Sequence, residues 1–259
     1  MIKVKDVLKY LEQRFPYELA ADFDLGKIGL TIGNPENLIT GILCTLDLTD
    51  EVIDEAVSKN CNLIISHHPF LFSGITKVLY SDDKGSIIYK MIKNDISLIA
   101  MHTNMDLGID GVGDSLAELF ELQDSNINAN DKDTYIRYGN IEEVTLEELA
   151  QKTKQIFGLG GVRFVGDKNT KIKKIAILGG SGGQEREILN AKRNNCQCYI
   201  TGEIKHHVGI FAKFNNICLI EVNHGIEKVV FNKLAKDIQE LFDVSTYISE
   251  YNTDLFEFI

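Results

Sequence analysis

The residues of this chain that are best suited to chemistry are its six histidines, which lie in four short stretches. Each stretch follows an apolar run that is typical of a buried β-strand, and three of the four also contain an acidic residue. Because ligands of open α/β sheets collect at the carboxyl ends of the strands, we expect these side chains to lie at such ends. Imidazole and carboxylate are the donors of a mixed nitrogen and oxygen metal site, so the pattern predicts metal binding.

The adjacent pair His67 and His68 is the sharpest of these features. Neighbouring side chains of an extended segment point to opposite sides, so such a pair rarely serves one ion within a regular strand. At a strand end that turns into a loop, the two imidazoles can reach two neighbouring ions, and Pro69 fixes the backbone directly after them. The alternative is a pair of ordinary core or surface histidines.

A second stretch places Asp106 four residues after His102, in a loop with nearby glycines. An aspartate in such a loop is often a turn residue or a helix cap, but its position beside a histidine at a strand end favours a metal ligand. His102 itself could orient a ligand through a hydrogen bond instead of binding the metal.

A third stretch contains His224 and Glu227 at the start of the last long predicted helix. Residues three or four apart share a helix face, so both side chains can point at one ion. The alternative is an exposed first helical turn, where an acidic residue is favourable for the helix dipole.

Two further segments have open interpretations. The turn Gly179-Gly180-Ser181-Gly182-Gly183 links a strand to a helix and could present backbone amides to a phosphate, or it could serve only tight packing, and it lacks the lysine of a P-loop. The fourth histidine stretch places Glu203, His206 and His207 after another strand. Glu203, His207 and His102 are the candidates for proton transfer, and a simple helix start is the alternative for the segment.

The composition is that of an ordinary globular protein, with 44% apolar and 25% charged residues in 259. The formal net charge of −11 disfavours a general nucleic-acid-binding role. We find no apolar run long enough to cross a bilayer and no signal-peptide pattern at the N-terminus. Five cysteines, mostly within apolar runs, indicate reduced structural thiols and a cytoplasmic protein.

Strand and helix patterns alternate along most of the chain, which predicts an α/β fold. The predicted strands cover about 41–47, 61–66, 96–101, 162–165, 173–178, 198–201, 217–222 and 244–248. The predicted helices cover about 1–15, 50–60, 84–94, 111–122, 145–157, 184–195 and 226–242, with another between 201 and 217. The polar, turn-rich segment 123–142 predicts a boundary between two α/β halves, 1–123 and 124–259.

Four segments in this order resemble motifs of the NIF3-like family, also called GTP cyclohydrolase 1 type 2 homologues. They are Ile65-Ser66-His67-His68-Pro69, His102-Thr103-Asn104-Met105-Asp106, Leu178-Gly179-Gly180-Ser181-Gly182 and Ile200-Thr201-Gly202-Glu203. The resemblance implies a fold of two α/β halves with a dinuclear metal site in the cleft between them, and a ring-like homohexamer.

The resemblance also implies a ligand set: His67, His68, Asp106, His224 and a following glutamate. The family usually has that glutamate four residues after the last histidine, whereas here Glu227 follows His224 by three and position 228 is lysine. Both spacings keep the pair on one helical face, so Glu227 is the predicted ligand.

The leading hypothesis is a hydrolase that uses two divalent ions (Zn, Fe, Mn or Ni) on a nucleotide, a phosphoester or a cyclic amide. Opening of the GTP ring is implied by the resemblance only, because the sequence has no separate guanine-reading motif. The competing hypothesis is a non-catalytic metal store, metal-insertion factor or regulatory scaffold. A ring that binds nucleic acid is a third possibility, and it would need a basic inner surface.

Overall fold

The computed structural model describes residues 1–126 and 135–256. The strands are β1 (Gly29–Ile32), β2 (Ile42–Thr45), β3 (Leu63–Ser66), β4 (Ser97–Ala100), β5 (Arg137–Thr145), β6 (Arg163–Val165), β7 (Lys171–Ile177), β8 (Cys198–Gly202), β9 (Cys218–Val222) and β10 (Thr246–Ile248). The α-helices are α1 (Val4–Arg14), α2 (Asp50–Ser58), α3 (Asp83–Lys93), α4 (Thr103–Leu107), α5 (Val112–Leu119), α6 (Leu146–Phe157), α7 (Glu185–Arg193), α8 (His206–Phe214) and α9 (Phe231–Phe242). Short 3-10 helices cover Tyr17–Leu19, Asp22–Asp24 and His224–Val230.

The chain divides into two compact units, and each contains one of two five-stranded sheets. The first unit is Met1–Gly108 with Val230–Thr253, and the second is Ile109–Val229 with the residues from Asp254 onward. These units differ from the predicted continuous halves 1–123 and 124–259, because α5 packs with strands of the second unit and α9 packs with strands of the first.

The sheet of the first unit has the strand order β1-β4-β3-β2-β10. Four strands are parallel, and β1 lies antiparallel to β4 at the edge. The residues of β2, β3 and β4 are buried throughout, as expected for parallel strands that are covered on both faces. The carboxyl ends of these three strands therefore meet at one edge of the sheet.

The sheet of the second unit has the order β5-β7-β8-β9-β6. Its three central strands are parallel, whereas β5 and β6 are antiparallel to their neighbours. A buried ion pair joins α5 to the edge strand of this unit, since Arg137 Nε donates to Asp114 Oδ1 at 2.6 Å and both side chains are 1% exposed. The second Asp114 oxygen accepts a hydrogen bond from the backbone N–H of Asp110.

Both units use the same turn to pass from a helix into a central strand. After each of α2, α3, α7 and α8, an Asn or Asp adopts a left-handed conformation with φ between 53° and 58°. The next residue then donates its N–H to the carbonyl five positions earlier, as in a Schellman motif. The four bonds are Cys61 to Ala56 (2.8 Å), Ile96 to Met91 (2.9 Å), Cys196 to Ala191 (3.0 Å) and Ile217 to Ala212 (3.0 Å).

The predicted α/β fold is confirmed, and each of the eight predicted strands has a counterpart in the structure. The strands β1 and β5 and the short helix α4 were not predicted. Residues 137–142 of the predicted boundary belong to β5, so that part of the prediction is wrong, and 127–134 lie outside the described residues. The predicted helix 226–242 is a 3-10 helix followed by α9. In the described part of the chain, no helix is long and apolar enough to cross a membrane.

Candidate metal centre

In the first unit, potential metal ligands follow the three central parallel strands. Asp47 comes two residues after β2, His67 and His68 come directly after β3, and His102 and Asp106 come after β4. Parallel pairing aligns these strand ends, because Thr45 is opposite Ser66 and Ser66 is opposite Ala100. The sheet thus brings together side chains that are up to 59 residues apart in the sequence, between Asp47 and Asp106.

The imidazole of His68 is oriented by Asp47. The His68 Nδ1 and Asp47 Oδ1 atoms are 2.7 Å apart. A carboxylate at this distance accepts a hydrogen bond from Nδ1–H, and the tautomer with its proton on Nδ1 is the one that can bind a metal through Nε2.

The imidazole of His102 has an equivalent partner in Asp24, which comes from the 3-10 helix Asp22–Asp24 and is fully buried. His102 Nδ1 lies 2.9 Å from Asp24 Oδ1, and both the N–H and the hydroxyl of Thr103 donate to the other carboxylate oxygen. Burial alone would raise the pKa of Asp24, but the hydrogen bonds from His102 and Thr103 outweigh it and lower that pKa. The carboxylate is therefore held in its charged form.

His67, His68 and His102 form a compact group of three imidazoles. Their ring centroids are 5.0 to 5.5 Å apart, and one nitrogen of each lies within 4.8 Å of one nitrogen of the others. The buried His67 also places its Nε2 atom 3.5 Å from Asp106 Oδ1. The helix α4 sets the position of Asp106, since the Asp106 N–H bonds to the carbonyl of His102.

Aromatic side chains lie beside His102. The rings of Phe23 and Phe72 are 6.3 and 6.4 Å from the imidazole, and Lys27 Nζ sits 3.8 Å from the centre of the Phe72 ring. Both phenylalanines are about half exposed, at 55% and 43%.

In the second unit, His224 follows β9 and is oriented by Glu203, which follows β8. His224 Nδ1 lies 2.7 Å from Glu203 Oε1. Glu203 adopts a left-handed backbone with φ of 55°, which turns the chain directly after the strand. This is the same pairing of a carboxylate with Nδ1 that His68 and His102 show in the first unit.

The other nitrogen of His224 faces Glu227, with 3.2 Å between His224 Nε2 and Glu227 Oε2. Both residues belong to a 3-10 helix, in which side chains at positions i and i+3 lie directly above one another. The spacing of three residues therefore suits this helix type. Glu227 is only 5% exposed, whereas Lys228 is exposed, so the glutamate rather than the lysine faces the site.

The glycine turn after β7 makes room for this carboxylate. A Cβ atom at Gly180 would overlap Glu227 Oε1, and one at Gly179 would crowd Glu227 Cγ. Gly180 also has a φ of +60°, which favours glycine. These contacts favour tight packing over phosphate binding for the segment.

The structure places the three predicted proton-transfer residues differently. Glu203 and His102 are hydrogen-bonded to the groups described above. His207 is exposed on α8 and is not part of any His, Cys, Asp or Glu group able to hold a metal among the described residues. Asp24 and Asp47 were not predicted. In the sequence, Asp47 is only an acidic residue at the end of a predicted strand and Asp24 only an acidic residue between predicted elements, and both patterns are too common to be specific.

Fold and site together define a class: an α/β protein of two sheets in which histidine and acidic side chains at the strand ends are arranged so that they could hold a metal. Comparison with known proteins identifies the family within that class. The chain belongs to the Duf34/NIF3 (NGG1p interacting factor 3) family, whose sequence profile matches residues 2–254.

Relatives of similar length and fold support this assignment. A Clostridium acetobutylicum protein named GTP cyclohydrolase 1 type 2 homolog is 33% identical over 269 residues, which cover 99% of each chain. The crystal structure of a Staphylococcus aureus protein matches with a TM-score of 0.90 and 32% identity, over 100% of this chain and 99% of that one. A Bacillus cereus protein related to NIF3 matches with a TM-score of 0.91 and 25% identity, over 100% and 99% of the chains.

Proposed function

We propose that this protein binds two divalent metal ions through His67, His68, Asp106, His224 and Glu227 and uses them to hydrolyse a small molecule. The observation that carries the proposal is the pairing of imidazole Nδ1 with a carboxylate at two of the proposed ligands, His68 and His224, and the same pairing at the neighbouring His102. Metal-ligating histidines almost always donate their other ring N–H to a carboxylate, a backbone carbonyl or water, and this bond fixes the tautomer and raises the basicity of the ligating nitrogen.

The donor set fits divalent ions of the first transition row. His67, His68 and His224 provide nitrogen, and Asp106 and Glu227 provide oxygen. Two metal–nitrogen bonds together span up to about 4.2 Å, so nitrogens within 4.8 Å of each other need only small side-chain shifts to share an ion. This donor chemistry admits Zn, Fe, Mn or Ni.

When bound, a pair of such ions supplies Lewis-acid chemistry: it lowers the pKa of water and stabilises negative charge on an oxygen of the substrate. The protein residues then have separate tasks. Asp47, Asp24 and Glu203 hold the imidazoles in one tautomer and one orientation. Glu203 is 55% exposed and lines a cavity of about 370 Å³ together with His224, so it is the best placed of the three candidates to transfer a proton.

The substrate class proposed for this chemistry is a nucleotide, a phosphoester or a cyclic amide. The name of the Clostridium acetobutylicum relative points to GTP, and for this chain that substrate is one member of the test panel. A non-catalytic metal store, insertion factor or scaffold would use the same ligands, and the two functions differ only in turnover.

A metal-dependent rate separates the two functions. The protein is loaded in turn with Zn²⁺, Mn²⁺, Fe²⁺ and Ni²⁺ and assayed against panels of nucleotides, phosphoesters and cyclic amides, with the variant His68→Ala as a control. The enzyme hypothesis predicts a rate that requires metal and is lost in His68→Ala, while circular dichroism shows an intact fold. Two tightly bound ions without turnover on any panel would favour the non-catalytic function.

Two wider properties belong to the same proposal. We expect a homohexameric ring, on the resemblance to the NIF3-like family, and analytical ultracentrifugation will report the mass of the assembly. We also expect a cytoplasmic location, because all five cysteines are buried and free, as is usual for proteins of reducing compartments. The partner is a small molecule rather than a nucleic acid, in keeping with the net charge of −11.

A further inference from the structure

The second unit contains a cavity of about 410 Å³ next to the helix α8. Its walls come from the edge strand β6, from β9 and from the helix α8 with the loop before it. Phe164, Val165, Ile204, Ile210 and Leu219 provide apolar surface. A volume of this size and an apolar lining are typical of sites for small molecules.

Two lysines of the second unit also line this cavity. Lys205 precedes α8 and Lys213 lies near its end, and neither makes an ion pair with any residue in the described part of the chain. His206, at the first position of α8, adds a further polar group. Because the protein carries a net charge of −11, two lysines at one cavity with no ion-pair partner among the described residues favour an anionic ligand.

A glycine in the middle of α8 keeps this cavity open. Gly209 lines it, and glycine weakens the interior of a helix relative to alanine. This position does not require glycine. Its φ is not positive, and a Cβ atom there would contact only Val165 Cγ2, at an ordinary 3.5 Å. The missing side chain is therefore explained better by the space it leaves than by the geometry of the helix.

The cavity adjoins the one that contains Glu203 and His224. Arg163 and Glu221 line both cavities, and they form an ion pair with each other. Glu221 is fixed further by the N–H of Ile204, which donates to its Oε1 atom at 2.9 Å. A ligand seated beside Lys205 and Lys213 would thus extend past this ion pair toward the candidate metal ligands.

From this arrangement we infer that the β6–α8 cavity is a substrate-binding subsite for an anionic small molecule with a flat apolar ring. Lys205 and Lys213 bind the anionic group, and Phe164 and Ile210 contact the ring. The anionic group anchors the ligand in the cavity. The bond to be broken lies at the other end of the ligand, next to Glu203 and His224. This inference deepens the proposed function and rests on it for the reaction, but the binding step does not need a metal.

Phenylphosphonate is a suitable probe because it combines a ring with a dianion and has no hydrolysable ester. Its affinity for the full-length protein is measured by isothermal titration calorimetry at low salt in the presence of EDTA, next to inorganic phosphate and phenol. We expect phenylphosphonate to bind at least tenfold more tightly than either fragment. Equal affinity for inorganic phosphate and phenylphosphonate, or no binding of phenylphosphonate, would overturn the inference.

Matched variants locate the binding. Gly209→Leu fills the cavity and should weaken phenylphosphonate binding at least tenfold, whereas Gly209→Ala should change it less than about twofold. Lys205→Gln and Lys213→Gln should each weaken it about three- to fivefold, as expected for exposed charges. Lys152→Gln removes an exposed helical lysine elsewhere in the unit and should have no effect. Unchanged binding in Gly209→Leu, with an intact fold by circular dichroism, would place the ligand elsewhere and contradict the inference.

The use of EDTA separates this inference from the proposed metal centre. If the protein binds no metal at all, the proposed function fails, but the calorimetric results above are unaffected. If metal binds and phenylphosphonate does not, the subsite is wrong and the proposed metal centre stands.

Discussion

The two units of this protein share a framework of three parallel strands with connecting helices, but they place different candidate metal ligands on it. In both, helices connect three parallel strands, and each connecting helix is followed by an Asn or Asp in the left-handed conformation. Candidate ligands lie after the carboxyl ends of the strands. In the first unit the strand ends carry His67, His68 and His102. In the second they carry one histidine, two glutamates and a glycine turn. The framework fixes where donors can be placed, and the loop residues decide which donors they are.

The difference between the units has a chemical consequence. The first unit offers mainly imidazole nitrogen, from His67, His68 and His102, whereas the second offers one imidazole, His224, and one carboxylate, Glu227. The imidazoles of His68, His102 and His224 are each backed by a carboxylate, so the two units share this way of orienting an imidazole while they differ in their donors. Substitutions at equivalent positions in the two units therefore test this difference.

Replacement of a proposed ligand should have the largest effect. We expect His67→Ala in the first unit and Glu227→Gln in the second each to weaken binding of at least one ion by more than about 100-fold, beyond the loss known for orienting residues. Elemental analysis of the purified variants after gel filtration measures the ion content per chain. Full metal content in either variant would remove that residue from the ligand set.

Cys61 and Cys196 lie just before β3 and β8, the second parallel strand of each unit in chain order. Both should be alkylated slowly and at similar rates. Burial is the main cause that raises the pKa of Cys61 and of Cys196 to about 11. Since the thiolate is the nucleophile, this pKa lowers the alkylation rate at pH 8 by about 100-fold relative to a free thiol, and the rate should rise as the pH approaches 11.

Iodoacetamide labelling followed by peptide mass mapping measures both cysteine sites at once. Denatured protein is the control, in which both should react at the ordinary rate. If one of the two cysteines in the folded protein is alkylated as fast as a free thiol, the turns that contain Cys61 and Cys196 are not equivalent.

Removal of an orienting carboxylate should have a smaller effect than loss of a ligand. Asp47→Asn and Glu203→Gln keep the side-chain size but weaken the hydrogen bond to imidazole Nδ1, and such changes typically cost about 10- to 100-fold in metal affinity. Competition with a chromogenic chelator gives the affinities. A loss in one unit only would mean that the shared pairing serves different purposes in the two.

The smallest effect is expected from a pair of glycines in the second unit. Gly180 and Gly158 have nearly the same φ, +60° and +62°, but only Gly180 has Glu227 against it. Gly158→Ala should cost about 1 kcal/mol, the cost of a left-handed alanine. Gly180→Ala should cost about 1–2 kcal/mol more, because Glu227 must move.

Urea denaturation of both variants provides the comparison, and metal content supplies a second readout. Only Gly180→Ala should lose metal. Equal stabilities and equal metal content would show that the glycine turn does not position Glu227.

Much of the fold could be predicted from the sequence because its signals are local. The apolar runs of β3, β4, β8 and β9 are buried on both faces and read as continuous hydrophobic segments. The strand β5 was missed because it is an edge strand with mostly polar, partly exposed residues, Arg-Tyr-Gly-Asn-Ile-Glu-Glu-Val-Thr. The helix α4 was missed because its five residues are too few to show a periodic pattern.

The histidines at the strand ends could be recognised in the sequence more easily than the carboxylates that lie beside them. A histidine after a buried strand is rare enough to be noticed, whereas Asp24 and Asp47 are ordinary loop residues in the sequence. Asp24 is paired with a residue 78 positions away, and only the folded chain brings them together. The three-residue spacing brings His224 and Glu227 into contact because the segment is a 3-10 helix. No local pattern in the sequence predicted this helix type.

Anomalous scattering from crystals of the metal-loaded protein, combined with elemental analysis, tests the central proposal most directly. The account predicts two ions per chain, about 3.5–4 Å apart. Their ligands should be the imidazoles of His67, His68 and His224 and the carboxylates of Asp106 and Glu227. A single ion, or ions bound without any side chain from the second unit, would contradict it.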